Sequence, residues 1–305
     1  MKTINIFIWS NYKDECSIVI DYLQKLCKEK YIFTIINDNK NADIIFTNHW
    51  KSYDNSLNLN KKIIYWSGES YPNRIIQNNL PYLELNSFIT QSNTSFHFPY
   101  MIACKYWDKN IRQFNVQKTK FLAFCVSNSN AYPNCKNRIN IFNKFCEAFP
   151  DEYIEALGSE YGNYKEKHRK IEGYHATINT IQEYSQFKFV LAIENNIKEG
   201  YVTEKIINAF ASGAVPIYQG CSKTVAKQFN KKSYIDINDF TSVDDCINYV
   251  KNITDEKYNE MITSYIYNKN TPDILNIIDE NDNYIFTESE YWINLKNKLC
   301  NLLEY

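Results

Sequence analysis

One stretch of this 305-residue chain concentrates side chains that can handle an anion. It runs Phe189-Val-Leu-Ala-Ile-Glu194-Asn195, crosses a polar loop containing Gly200, and continues Tyr201-Val-Thr203-Glu204-Lys205-Ile-Ile-Asn-Ala-Phe-Ala-Ser-Gly213. The apolar run ending at Glu194-Asn195 reads as a buried strand. Beyond Glu204 the apolar residues Ile206, Ala209 and Phe210 recur at helical spacing. Thr203 is placed to cap that helix and Gly213 to end it. The first turn of a helix offers unpaired N–H groups and the positive end of its dipole, a setting that attracts anions. Lys205 in that turn opposes the dipole and makes sense if it meets a phosphate. On the local pattern alone a second reading stands equally: Glu204 is a favourable first-turn acid and Lys205 a solvated charge.

Two further charges ask for a role. Arg138 follows the strand-like run Phe121 to Val126, the polar segment Ser127-Asn128-Ser-Asn130, and Asn137. A guanidinium there can give two parallel donors to a phosphate, or simply decorate a helix surface. Glu69 sits in Tyr65-Trp-Ser-Gly68-Glu69-Ser-Tyr-Pro72-Asn73, after a strand-like run. A strand-end carboxylate can take a proton when partly desolvated, or lie idle in solvent.

The elements that must position these residues alternate between strand and helix. Strands are expected at 3–9, 31–36, 43–47, 62–66 and 84–91, with a helix at 14–28 and a connector from Trp107 to Asn115. The pattern then restarts with a strand at 121–126, a helix at 137–148 and a strand at 152–157. A polar loop over 159–176 leads to a helix at 177–184, a strand at 187–193, a helix at 203–212 and a strand at 214–218. Helices at 222–229, 242–251, 255–266 and 288–303 complete the chain, the last aligning Trp292, Leu295, Leu299 and Leu302 on one face. Two successive βα runs imply two α/β domains with mostly parallel sheets. The expected division is an N-terminal domain over 1–115, a C-terminal domain over 116–285, and a helix at 286–305 packing back on the first. Ligands in such folds bind at the carboxyl ends of strands, and the cleft between two domains is the default site.

Composition excludes several chemistries. With only seven glycines there is no G-x-G-x-x-G and no P-loop, so a glycine-cradled nucleotide is ruled out. A net charge of -1 without a dense Lys/Arg block argues against nucleic acid as partner. The nine cysteines are odd in number and contain no C-x-x-C, which fits reduced structural thiols in a reducing compartment. His49, His97, His168 and His175 show no metal spacing, and no D-x-D motif stands in a suitable place. The chain is rich in asparagine, so the sequons at Asn93 and Asn252 carry little weight. The opening residues alternate like a strand rather than a signal peptide, and no run of about twenty apolar residues exists to span a membrane.

The run E-N-x-x-x-x-G-Y-V-T-E-K-I from Glu194, followed by A-x-x-S-G-A-V-P-I-Y-x-G ending at Gly220, resembles the signature of the α-1,3/4-fucosyltransferases, glycosyltransferase family 10. The segments at Ser127–Asn130 with Asn137-Arg138, at Gly68–Asn73, and from Gly220 through Phe229-Asn230 to Asp236 are similar to the family as well. The likeness covers residues roughly 60 to 250 well. It implies a GT-B fold, in which two Rossmann-like domains face a cleft and the C-terminal one holds the donor. It implies an inverting transfer of fucose from GDP-β-L-fucose to a sugar hydroxyl of an oligosaccharide. The typical acceptor is the N-acetylglucosamine of an N-acetyllactosamine unit, giving Lewis-x-type products.

Carried onto this chain, the resemblance makes Glu69 the general base and places Lys205 and Arg138 on the leaving diphosphate. It gives Glu204 the donor hydroxyls or the charge developing on the fucose ring. Asn195, Tyr201, Thr203, Ser127, Asn128 and Asn130 are then donor-binding residues, while Glu194 ends its strand and serves structure. Transfer is expected to need no metal or other cofactor, though divalent ions can stimulate it. The aromatic and polar residues Trp9, Tyr12, His49, Trp50, Tyr53, Phe96 and His97 are available to stack on the acceptor. A cytoplasmic enzyme is expected, with peripheral membrane contact left open. Alternatives are a related transferase using another donor or acceptor, and a non-catalytic glycan-binding protein.

Overall fold

The computed structural model describes residues 1–48, 61–70, 81–90, 92–100, 112, 116–171, 178–268 and 290–305. In chain order its elements begin with β1 (Lys2–Trp9), α1 (Lys13–Cys27), β2 (Tyr31–Ile36), β3 (Ile44–Asn48), β4 (Lys62–Ser67), β5 (Tyr82–Asn86) and β6 (Ser95–His97). There follow β7 (Lys120–Phe124), α2 (Cys135–Ala148), β8 (Ile154–Ala156), α3 (Ile178–Tyr184), β9 (Phe187–Ile193), α4 (Glu204–Ala211) and β10 (Val215–Gln219). The last are α5 (Ser222–Gln228), β11 (Ile235–Asp236), α6 (Val243–Lys251), α7 (Asp255–Thr263) and α8 (Glu290–Glu304).

The chain divides into two compact units, one formed by Met1–Lys105 with Pro272–Tyr305 and the other by Tyr106–Thr271. The first holds a six-stranded sheet in the order β2-β1-β3-β4-β5-β6, with every neighbouring pair parallel. The second holds a five-stranded parallel sheet in the order β11-β10-β9-β7-β8. Parallel strands covered on both faces must be apolar almost throughout. β9, Phe-Lys-Phe-Val-Leu-Ala-Ile, meets that demand with Lys188 as its one exposed residue. β1 alternates inward-facing Ile4, Ile6 and Ile8 with less buried positions. In the second unit Phe124, Phe142, Phe145, Leu191, Ile217 and their neighbours form one continuous core.

α8 belongs to the first unit and packs against α1 and β5. Its apolar face buries Trp292, Leu295, Leu299 and Leu302. Polar ties add to this: Tyr291 Oη donates to the His97 carbonyl (2.9 Å), Lys62 Nζ to the Leu303 carbonyl (2.9 Å) and Tyr31 Oη to Glu304 Oε1 (3.2 Å).

Local differences from the sequence expectations have physical causes. The strand expected over 84–91 is β5, which spans Tyr82–Asn86; its last ladder bond runs from the Ser87 N–H to the Ser67 carbonyl (2.9 Å), and Ile89 beyond it faces solvent. β6 and β11 are three and two residues long, too short to show alternation. The helix expected to reach 266 ends at Thr263 because Ser264 is extended and Tyr267 bridges to Phe229. The polar loop over 159–176 includes a 3-10 turn at Lys165–Lys167 and a bridge from Ala156 to His168. The connector expected from Trp107 to Asn115, apart from Arg112, and the loop's end at 172–177 lie outside the described residues. Among the described residues, no helix is long and apolar enough to cross a membrane.

Candidate functional site

In the second sheet β7 leads through α2 to β8 on one side, and β9 leads through α4 to β10 on the other. The order therefore reverses between β7 and β9, and a crevice opens at their carboxyl ends. The β7–α2 loop carries Ser127, Asn128 and Asn130, and the β9–α4 loop carries Asn195, Tyr201 and Thr203. Asn134, just before α2, ties the two loops together. Its N–H donates to the Asn195 carbonyl (3.0 Å), and its side-chain amide donates to the Glu194 carbonyl (2.8 Å). Its carbonyl in turn accepts from the Arg138 N–H (3.1 Å).

The first turn of α4 is organised around a buried acid. Glu194 is 0% exposed. The Thr203 N–H donates to its Oε1 (2.8 Å), and the Thr203 hydroxyl lies 2.8 Å from Oε2. Lys205 Nζ lies 3.3 Å from Glu194 Oε2, donates to Thr203 Oγ1 (2.9 Å) and reaches Glu204 Oε1 (3.1 Å). Burial pushes the Glu194 carboxyl up in proton affinity, and the Lys205 ammonium opposes that rise. The expected role of Thr203 is thereby corrected. Its backbone is extended at the start of α4, but its hydroxyl makes no cap bond because it is turned toward Glu194 and Lys205. Gly213, at φ +74, follows the helix as expected.

Arg138 comes from the other side of the crevice. It lies on α2, is 2% exposed, and gives its Nη2 to the carbonyl (2.6 Å) and side-chain oxygen (3.1 Å) of Asn128. Its buried Nε has no hydrogen-bond partner, and among the described residues it makes no ion pair. The Cys125 thiol is buried just past β7. Burial chiefly lifts it to about 12, a hydrogen bond from Tyr184 opposes the rise, and Glu204, Lys205 and Arg138 all act on it electrostatically.

Asn128 and Arg138 thus stand on the β7–α2 side, and Asn195, Thr203, Glu204 and Lys205 on the β9–α4 side, of the same sheet end, and Asn134 joins the two sides. Tyr201 and Asn195 are buried beside them. Ser127 is half-buried and Asn130 exposed on the same loop. Glu69 belongs to the first unit, half-buried just past β4, with its carbonyl accepting from Ser67 Oγ (3.1 Å) and Ser87 Oγ (3.3 Å). Of the aromatic residues considered for the acceptor, Phe96 packs its ring 4.8 Å from Tyr291, and Tyr12 is exposed. His49, Trp50 and Tyr53, and Pro72 and Asn73 of the Glu69 segment, lie outside the described residues. Among the described residues, no group of three or more His, Cys, Asp or Glu side chains is arranged to hold a metal ion. Sequence reasoning missed Asn134, although an asparagine one residue before a helix is a readable signal.

The family model described as glycosyltransferase family 10 (fucosyltransferase), C-terminal part, matches residues 115–304. A candidate fucosyltransferase of Acanthamoeba polyphaga mimivirus is 32% identical over 201 residues, which make up 62% of this chain and 32% of the viral protein. The alpha-(1,3)-fucosyltransferase FucT of Helicobacter pylori is 39% identical over 135 residues, 44% of this chain and 24% of that protein. The chain thus spans about a quarter to a third of the length of these curated relatives. Among solved structures, an alpha1,3-fucosyltransferase crystallised with GDP-fucose is similar with a TM-score of 0.63 at 19% identity, covering 100% of this chain and 92% of its own. The DNA-modifying β-glucosyltransferase is similar with a TM-score of 0.60 at 14% identity, covering 99% of this chain and 100% of its own. These likenesses carry the fold, an α/β architecture of two parallel-sheet units shared with GT-B glycosyltransferases. By its match over residues 115–304, the chain belongs to glycosyltransferase family 10, the fucosyltransferases.

Proposed function

We propose that this protein transfers L-fucose from GDP-β-L-fucose to a hydroxyl of an acceptor glycan, with inversion at the fucose C1. The observation that carries the reading is Arg138, a buried guanidinium with an unpartnered Nε and no ion pair among the described residues. A buried charge without a counter-ion costs several kcal/mol. An anionic ligand at the β7/β9 crevice removes that cost, and a nucleoside diphosphate is the anion that suits this fold.

The chemistry follows from the charges. As the bond between fucose C1 and the β-phosphate oxygen breaks, negative charge grows on the diphosphate. Arg138 and Lys205 stabilise it there, each acting more strongly than it would in water. Glu204 faces the positive charge developing on the sugar ring or binds donor hydroxyls. The acceptor oxygen attacks C1 from the opposite face and passes its proton to Glu69 as general base. Asn195, Tyr201, Thr203, Ser127, Asn128 and Asn130 form the wall and support of the donor pocket. The positive charge needed at the leaving group comes from Arg138 and Lys205, so the reading includes no obligatory metal.

The acceptor rests on the relatives. A mouse relative, 30% identical over 149 residues, is named a 4-galactosyl-N-acetylglucosaminide 3-alpha-L-fucosyltransferase. We take the same acceptor here, α-1,3 on the N-acetylglucosamine of an N-acetyllactosamine unit.

The test is incubation with GDP-fucose and a panel of galactose- and N-acetylglucosamine-containing acceptors, with and without EDTA, followed by mass analysis. Fucosylated N-acetyllactosamine with release of GDP is expected in both conditions. GDP release without that product would overturn the acceptor, and no GDP release at all would overturn the activity. Turnover abolished by EDTA and restored by Mn²⁺ would overturn the metal-free mechanism.

A further inference from the structure

Glu194 is chemically out of place for a residue that only ends a strand. A fully buried carboxylate is costly unless it is paired and hydrogen-bonded. A neutral amide could accept the Thr203 N–H equally well, so the charge is needed for something else. The cation it meets is Lys205, 3.3 Å away, with the Thr203 hydroxyl bonded to both. The surrounding backbone is shaped to leave this acid room. A Cβ on Gly220 would stand 2.9 Å from Glu194 Cγ and overlap the Tyr218 hydroxyl, so a glycine at the β10 end leaves room for the acid. The Glu194 N–H is meanwhile fixed to the Gln219 carbonyl (2.8 Å), and its own carbonyl to Asn134. The acid is thus held at both main-chain groups and at its carboxylate. Lys205, placed against the α4 dipole, has its ammonium between this buried acid (3.3 Å) and the less buried Glu204 (3.1 Å).

We infer that Glu194 is a positioning residue for fucosyl transfer: through Thr203 it holds the Lys205 ammonium, charged and oriented, at the place where the diphosphate leaves. It does not itself touch the donor. Its catalytic consequence rests on the fucosyl-transfer reading, but the positioning does not.

A double-mutant cycle separates positioning from mere structural support. The variants are Glu194→Gln, Lys205→Met and the pair, each measured for kcat, KM for GDP-fucose, GDP affinity by calorimetry, and melting temperature. Glu194→Gln is expected to lower kcat by about a hundredfold, as removal of one transition-state donor does, with GDP affinity changed only a few-fold. Added to Lys205→Met it should cost almost nothing further. Losses that multiply in the double variant would overturn the inference. If Glu194→Gln does not fold, Thr203→Val carries the same cycle with a smaller expected loss. Independently of activity, the Lys205 ammonium signal in ¹⁵N-lysine NMR should be protected in the wild type and exchange-broadened in Glu194→Gln. An identical signal in both proteins would overturn the positioning, whereas a wild type that transfers no fucose would overturn the activity reading and leave the NMR result to decide this one.

Discussion

The side-chain amide of Asn134 donates to the main-chain carbonyl of Glu194 across 2.8 Å. One residue just before α2 thereby ties the helix that carries Arg138 to the end of β9, from which the chain leads into α4 and Lys205. Asn134→Ala removes this bond and leaves a buried carbonyl short of a donor, at a cost of roughly 1–3 kcal/mol. Chemical denaturation should show that loss. Transfer should fall more than stability explains, as a lower kcat measured well below the melting temperature.

Arg138 and Lys205 are expected to act on the same developing charge. Arg138→Ala and Lys205→Ala should each cost about 3 kcal/mol or more in kcat/KM. Arg138→Lys should rescue little, because an ammonium cannot reproduce a planar guanidinium that also holds the Asn128 carbonyl. Steady-state kinetics with GDP-fucose decide this, and unchanged turnover in both alanine variants would refute their role.

Glu69 lies in the unit that does not contain Arg138 and Lys205. Glu69→Gln should therefore bind GDP with wild-type affinity in calorimetry while transfer to acceptor is lost. Wild-type turnover in that variant would remove Glu69 from the mechanism.

Gly158 follows β8 and faces the Val126 backbone, where an added Cβ would overlap the Val126 carbonyl and nitrogen. Main chain yields less readily than a flexible side chain, so Gly158→Ala must displace Val126 and with it the Ser127–Asn130 loop. The expected result is a melting temperature lower by several degrees, from roughly 1–3 kcal/mol of overpacking, with a raised KM for GDP-fucose. Scanning calorimetry and kinetics together check it.

Stability should fall steeply in alkali. Burial lifts the thiols of Cys16, Cys27, Cys125, Cys146 and Cys246 to about 12. Below about pH 9 these thiols are protonated whether the chain is folded or not, and they contribute in full. As pH rises from about 9 to 12 the unfolded chain loses those protons and the folded one keeps them, so the contribution is lost. Lys118, held by the Ser185 and Ser212 carbonyls, works the other way. Burial brings it down to about 8, so its effect is a gain in stability as pH rises above that value. Five thiols outweigh one amine. The melting temperature should drop between pH 9 and 11, and Cys246→Ala should drop less over that interval than wild type does.

The strand and helix that frame Lys205 were legible because β9 is an unbroken apolar run and α4 a short amphipathic one, bounded by Thr203 and Gly213. The charged residues of the crevice were legible as types and spacings. What the Thr203 hydroxyl bonds to was not, since that depends on Glu194 lying at a neighbouring strand end rather than on the residues next to Thr203. The tie from Asn134 was hidden for the same reason: it crosses from the β7–α2 loop to β9, a pairing set by strand order. β6 and β11 left no periodic trace at three and two residues.

The unit that contains β1 is discontinuous in the chain, because α8 returns to pack on α1 and β5. During synthesis the segment Tyr106–Thr271 has all of its sequence available before residues 290–305 leave the ribosome. The face of α1 and β5 that α8 covers with Trp292, Leu295 and Leu299 therefore gains its cover last. Although β1 precedes every element of the other unit in the chain, the unit built on it is the second to have its whole sequence available.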